Sequence, residues 1–241
     1  MHFNREPRFY ADLAFDGSIW YMENRTSNHE SWTVKARYGQ QQARVGAYIF
    51  SATGYWPKKY VNWRFEIQSD GRFTVKDYPW PEIRLSDLYL LYAEALNEAA
   101  DNQGNRDKAI EYVDFVRARA GLEGVKESWD EHANNTKYNT QAGLRAIIQQ
   151  ERGIELMFEG HRYWDLRRWI LGSKLNQTIH DWDIEQETPI AYYRPKELFK
   201  QSFVEPRDYL APFREYTLIV NPNLVQNPGW YLNTNLKRNS I

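Results

Sequence analysis

The chain has 241 residues, with 31 Lys and Arg against 32 Asp and Glu, no cysteine, and 16% aromatic residues. The near-neutral balance excludes the basic face on which nucleic-acid affinity rests. The missing thiols exclude zinc–thiolate sites, disulfides and a cysteine nucleophile. 

Residues 1–80 read as irregular, with short β-hairpins. Phe9–Phe15 runs into Asp16-Gly17 and then Ser18–Tyr21. Asp-Gly between β-prone runs predicts a hairpin, because glycine accepts positive φ without steric cost. A second hairpin is predicted where Val61, Trp63, Phe65 and Ile67 alternate with polar residues before Asp70-Gly71 turns into Arg72–Val75. No apolar run approaches the ~18 residues of a membrane helix, and Met1–Phe15 lacks a basic-then-apolar leader pattern.

Residues 81–172 read as a helical core. Leu85, Leu88, Tyr89, Tyr92, Ala95, Leu96 and Ala99 recur at three and four residues, which predicts one buried stripe. Ser86 is the expected N-cap. Asp101–Asn105 breaks the pattern, and Ala109, Ile110, Val113, Val116 and Ala120 make a second stripe, capped by Asp107 and ended by Gly121. The two helices together are close to the ~34-residue tetratricopeptide period, though no second copy is evident. A third helix is expected from Thr140 to Met157 or Phe158, burying Leu144, Ile147, Ile148, Ile154 and Phe158. Residues 173–241 form a long, proline-rich, irregular segment that must pack across something to offset its chain entropy. Within it, Asn221–Trp230 is expected to dock on the helical body, with Trp230 in an apolar slot.

The chemistry-bearing residues are sparse. None of His2, His29, His132, His161 and His180 is spaced as a metal ligand pair, so neither a metal nor a cofactor is expected. No phosphate-binding glycine loop and no nucleophile elbow occurs. Glu151, Glu155 and Glu159 share one helical face at four-residue spacing, and such carboxylates repel unless cations answer them. One reading is glycoside hydrolysis by Glu155 or Glu159 with Asp165, which needs carboxyls ~5–5.5 Å or ~6.5–9.5 Å apart. The favoured reading is an ion-pair lattice that locks the helix, with Arg162, Arg167 and Arg168 at hand.

Aromatic residues remain. Tyr89, Tyr92, Tyr112, Phe115 and Phe158 fall on helical stripes and read as core. Trp20, Tyr21, Trp32, Tyr38, Tyr55, Trp56, Trp63 and Trp80 fall among turns and polar neighbours, where a ring is a better candidate for ligand contact. Trp20 and Trp32 are taken as stacking platforms for sugar rings. Asn24 and Asn28 are their hydrogen-bonding partners, and Tyr38 is a further ring.

Six stretches in one order resemble the C-terminal half of the SusD/RagB family of outer-membrane nutrient-binding lipoproteins. They are Arg5–Ala11, Thr53–Tyr60, Ile83–Glu98, Ala109–Gly121, Glu151–Trp169 and Asn221–Trp230. The resemblance implies a mainly α fold of tetratricopeptide-like repeats, with short β-hairpins and an irregular segment wrapped over them, as one domain over 1–241. It implies a structural Glu/Arg lattice. It also implies non-catalytic binding of an oligosaccharide or polysaccharide, handed to a SusC-like TonB-dependent transporter at the external face of the outer membrane. A full-length member is longer and carries a signal peptide and a lipidated cysteine, so the anchor is expected outside this chain. The alternative is a helical-repeat interaction scaffold without a small ligand.

Overall fold

A computed structural model describes residues 2–22, 32–46, 50–68, 72–133 and 135–230. The chain forms two compact units, one of residues 1–162 with 182–195 and one of residues 163–181 with 196–241. Helices predominate and strands are short. No helix among the described residues is long and apolar enough to cross a membrane.

The first unit is built on α2 (Leu85–Ala99), α3 (Gln103–Arg119) and α5 (Gln141–Glu155), with a short α4 (Val125–Ser128) between the last two. Asn102 caps α3 by accepting the Asn105 N–H at 2.9 Å, so the helix starts a turn before Asp107. Gly121, at φ +72°, ends it. The Leu122 and Gly121 N–H groups return to the carbonyls of Arg117 and Ala118, closing a Schellman motif. Thr140 caps α5 through the Gly143 N–H. The core holds Leu90 and Ala93 from α2, Ile110, Val113 and Val116 from α3, and Leu144, Ile147 and Ile148 from α5.

The buried face of α2 matches the predicted stripe only in part, through Tyr89 and Leu96, which are half-buried against the core. Leu85, Leu88 and Tyr92 are 59%, 51% and 46% exposed, whereas Ser86, Leu90, Ala93 and Asn97 are buried. Two of those four are polar, so a hydrophobic pattern catches one edge of the buried face and misses its centre. Asn97 is buried because it bridges to α5: its Nδ2 donates to the Gln141 carbonyl at 3.1 Å, and Gln141 Nε2 donates to the Asn97 carbonyl at 2.8 Å. Ser86 sits inside the helix rather than at its cap; Arg84 occupies the cap position and sends its side chain elsewhere. Phe115 and Phe158, also expected in the core, are about half exposed. Helix α5 stops at Glu155, and the turn that follows carries Phe158 and Gly160 at positive φ.

In residues 1–80 the predicted turns occur but the strands change partners. Pro7 opens α1 (Pro7–Asp12), so the segment expected to be a strand begins as a helix. Strand β1 (Leu13–Phe15) pairs with β4 (Tyr55–Pro57), and β2 (Ile19–Trp20) with β3 (Trp32–Thr33). The Asp16-Gly17 turn is present, with Ser18 N–H bonded to the Phe15 carbonyl, yet the two strands it joins do not pair with each other. The second predicted hairpin stands in shorter form, β5 (Glu66–Ile67) against β6 (Phe73–Thr74); its turn residues Asp70 and Gly71 lie outside the described residues. A small second core of Ala14, Val34, Ala36 and Tyr192 lies here, Tyr192 coming from α7 (Pro189–Tyr192).

In the second unit, the chain leaves α6 (His161–Arg168), and β7 (Thr178–Trp182) and β8 (Pro195–Lys200) form a two-stranded sheet before α8 (Glu215–Val220). Asn176 ties this unit to itself, donating to the Phe203 carbonyl at 3.0 Å. Trp230 does not occupy an apolar slot. Its indole N–H donates to the Leu210 carbonyl at 2.9 Å, and the Arg207 guanidinium lies 4.4 Å over its ring. That seat is polar because an indole carries a donor that must be satisfied and a face that attracts cations.

Candidate functional site

The three glutamates of α5 and its following turn form the densest electrostatic feature. Glu155, 1% exposed, is bonded by Arg8 at 3.1 Å, Arg84 at 3.0 Å and Arg119 at 2.7 Å. Glu151 takes Arg8 at 2.6 Å and Arg117 at 3.2 Å, and Glu159 takes Arg84 at 2.6 Å and Lys59 at 2.7 Å. Arg152, on the same helix, reaches Asp87 of α2 at 2.7 Å. The lattice is therefore real, but its cations come from α1, the 57–60 turn, α2 and α3. Of the arginines expected to supply it, Arg168 pairs with Asp165 at 2.9 Å. Burial pushes the Glu155 carboxyl up, and Arg119, Arg8 and Arg84 outweigh it, leaving the group below its ordinary range. Glu159 is lowered in the same way by Arg84 and Lys59. A buried carboxylate held ionised among arginines has no proton to give a glycosidic oxygen, so neither residue is placed as a general acid.

The lattice fixes what lies next to it. Lys59 and Tyr60 lie two and three residues past β4, and Tyr60 adopts the left-handed region at φ +60°. The Lys59 ammonium also reaches the Glu155 carbonyl at 2.5 Å. The Tyr60 hydroxyl group is raised above its ordinary range by burial and by the adjacent Glu159 carboxylate. Lys58 turns the other way and donates to the Tyr10 carbonyl. One short turn is thus pinned on two sides.

On that turn stands a groove made of three clefts that share residues. A cleft of 640 Å³ is lined by Phe3, Asp16, Ser18, Tyr10, Tyr21 and Lys58, among others. The last three also line a second cleft of 410 Å³, which adds Trp20, Val61 and Trp63. Val61 and Trp63 pass on to a third, of 770 Å³, with Asn62, Arg64, Asp77 and Tyr78. Trp63 is 54% and Tyr21 51% exposed, which is far more than a core ring requires. At the third cleft Tyr60 packs against Trp80 with ring centroids 4.5 Å apart and planes tilted by 39°. Flat rings alternate with carboxylate, ammonium, guanidinium and amide groups along the whole groove.

The residues proposed from sequence are partly gathered here. Trp20 and Trp32 are direct cross-strand partners in the β2–β3 ladder. Trp20 lines the middle cleft; both line a separate apolar cavity. Tyr38 is exposed in the stretch after β3, where its N–H bonds the Gln186 carbonyl at 2.9 Å. Asn24 and Asn28 lie outside the described residues. Tyr10, Tyr78 and Lys58 were not singled out in the sequence. Trp63 was grouped among the loop-borne rings but read as one face of a strand; β5 begins only at Glu66, so Trp63 is free to face outward.

A sequence model of the SusD family matches residues 1–230. SusD-like protein P2 of Formosa agariphila is 32% identical over 175 residues, which is 71% of this chain and 30% of that protein. Among solved structures, BT4246 is 28% identical with a TM-score of 0.75, matching 94% of this chain and 38% of its own. A SusD-like carbohydrate binding protein of Bacteroides fragilis, BF0978, is 26% identical with a TM-score of 0.58, over 92% of this chain and 42% of its own. The chain thus spans between about a third and two fifths of the length of these relatives. It belongs to the SusD family.

Proposed function

We propose that this SusD-family chain holds an oligosaccharide in the aromatic groove, without cleaving it, as part of an outer-membrane nutrient-uptake protein. The observation that carries the reading is that the three clefts adjoin one another, sharing Tyr10, Tyr21, Lys58, Val61 and Trp63 as lining residues. A pyranose presents an apolar C–H face to a flat ring and hydroxyls to its rim. Exposed Trp63, Tyr21 and Tyr78 offer the first kind of contact, and Asn62, Arg64, Asp77 and Ser18 the second. Trp20, expected from the sequence as a platform, lines the middle cleft and would add a further ring. The name of the Bacteroides fragilis relative supports carbohydrate as the ligand class. Delivery to a SusC-like TonB-dependent transporter at the cell's outer face follows from family membership and is part of the proposal.

The test is affinity electrophoresis through gels with and without each of a panel of polysaccharides. Retardation by at least one, weakened in Trp63→Ala, is expected, with no release of reducing ends. Retardation by none, in a chain with a cooperative melt, would overturn the reading. Release of shorter products would overturn its non-catalytic part. A second reading, an interaction scaffold without a small ligand, rests on the outward apolar stripe of Leu85, Leu88 and Tyr92 on α2.

A further inference from the structure

Beside the groove lies a cavity of different chemistry. Its volume is 260 Å³, and it is lined by Trp20, Met22, Trp32, Trp56, Phe65 and Phe73, together with small aliphatic groups. Gln42 is the one polar side chain among its described lining residues, and its Oε1 is already committed to the Lys35 N–H at 2.7 Å. The surface turned toward the cavity is wholly apolar. A sugar ring cannot be its natural occupant, because every hydroxyl buried there would lose its water without gaining a partner. A flat apolar group can be. An apolar cavity of about 150 Å³ suffices to bind benzene, so 260 Å³ takes an aryl ring with a short unsaturated linker. Trp32 and Phe73, with centroids 6.3 Å apart and planes tilted by 38°, supply ring faces on one side. A small acyl group such as acetyl would leave most of this space empty.

The cavity adjoins the groove. Trp20 lines both it and the middle cleft, and Val61 lines it and two of the clefts. A chain lying along Tyr21 and Trp63 would therefore run beside the cavity, separated from it only by the side chains of Trp20 and Val61, within reach of a group attached to it. We propose that this cavity is a subsite for an aromatic acyl substituent of the cinnamoyl type, carried as an ester on the bound glycan. The proposal rests on the groove reading for the glycan and on the apolar lining for the ester.

The experiment separates the two. Ethyl 4-fluorocinnamate, which carries no sugar, is titrated with the chain and followed by the broadening of its ¹⁹F resonance. Saturable broadening is expected with the wild type and with Trp63→Ala, which alters only the groove. Trp32→Ala should raise the dissociation constant at least tenfold. Phe73→Ala, at a position 57% exposed and so tolerant of change, should raise it severalfold and serves if Trp32→Ala does not fold. Absence of saturable broadening with the wild type would overturn the subsite, while polysaccharide retention in gels would leave the groove standing. Equal affinity in the wild type and Phe73→Ala would also overturn it. Ester binding without retention by any polysaccharide would overturn the claim that the ester is glycan-borne.

Discussion

Lys59 Nζ lies 2.7 Å from Glu159 Oε1, although the two residues are 100 positions apart. Both side chains are largely buried, and Glu159 is shared with Arg84. The pair joins the turn after β4 to the turn after α5, and so sets the base from which Tyr60, Val61 and Trp63 rise into the groove. Glu159→Gln should leave two cations facing a neutral amide, at a cost of about 3 kcal/mol, the lower end for a broken buried pair. Denaturant unfolding measures the loss. Glycan affinity should fall as well, since the groove wall is no longer held; unchanged stability would show the pair to be idle.

Glu155→Gln tests the centre of the lattice. Its carboxylate answers Arg8, Arg84 and Arg119 at once, so about 3–5 kcal/mol is expected. The pH dependence has a definite sign. The folded carboxyl lies below its ordinary value of 4.5, so its contribution is full above that pH and fades as pH falls through the lower folded value. The stability gap between wild type and Glu155→Gln should therefore narrow below about pH 4.5 and stay constant above it. Comparing the two proteins cancels Asp114, whose burial pushes it the opposite way, whereas Asp12, raised by burial and in part by Glu155 itself, shifts down in the variant.

The outward stripe of α2 gives a paired prediction. Leu88→Lys, at a half-exposed position, should change stability by no more than about 0.5 kcal/mol. Leu90→Ala, two residues on and fully buried, should cost about 2–5 kcal/mol. Thermal unfolding of both variants decides which face of α2 meets the core. Leu88→Lys should also bind less of an apolar dye, because it interrupts a contiguous exposed stripe.

Gly143 in the first turn of α5 has no room for a side chain. A Cβ there would overlap the Lys137 carbonyl oxygen, which is backbone and cannot swing aside. Helix propensity alone favours alanine, so the contact decides the sign. Gly143→Ala should destabilise by about 1–3 kcal/mol, read as a lowered melting temperature. A stabilised variant would mean that the 137–139 turn yields.

Trp63→Ala should weaken glycan binding by about 1–3 kcal/mol, the range for a base stacked on an aromatic side chain. Its melting temperature should hardly move, since more than half of the ring is exposed. Calorimetric titration with the polysaccharide retained in gels checks both statements on one sample. A large loss of stability with unchanged affinity would make Trp63 a packing residue.

What the chain determines locally was legible in its order of residues. The spacing of Ile110, Val113 and Val116, the glycine at 121 and the threonine at 140 place α3 and α5 to within a few residues, because helical hydrogen bonds and caps join near neighbours. The clustered glutamates announced a lattice for the same reason; of the loop-borne rings of the first 80 residues, Tyr21, Tyr38, Trp63 and Trp80 are exposed, whereas Trp20 and Trp56 pack against the second core. Three things were settled only by the tertiary structure. Strand β1 takes β4 rather than β2, the glutamates take Arg8, Lys59, Arg84, Arg117 and Arg119 rather than the arginines that follow them, and α2 buries Asn97 instead of Leu88. Each of these choices joins residues between about 30 and 150 positions apart, or depends on such a joining, as Asn97 does on Gln141. Local pattern carries no term for them. A two-residue strand has almost no intrinsic register, an arginine pairs with whichever carboxylate the chain path brings into reach, and a buried amide is stable only where a distant backbone meets it.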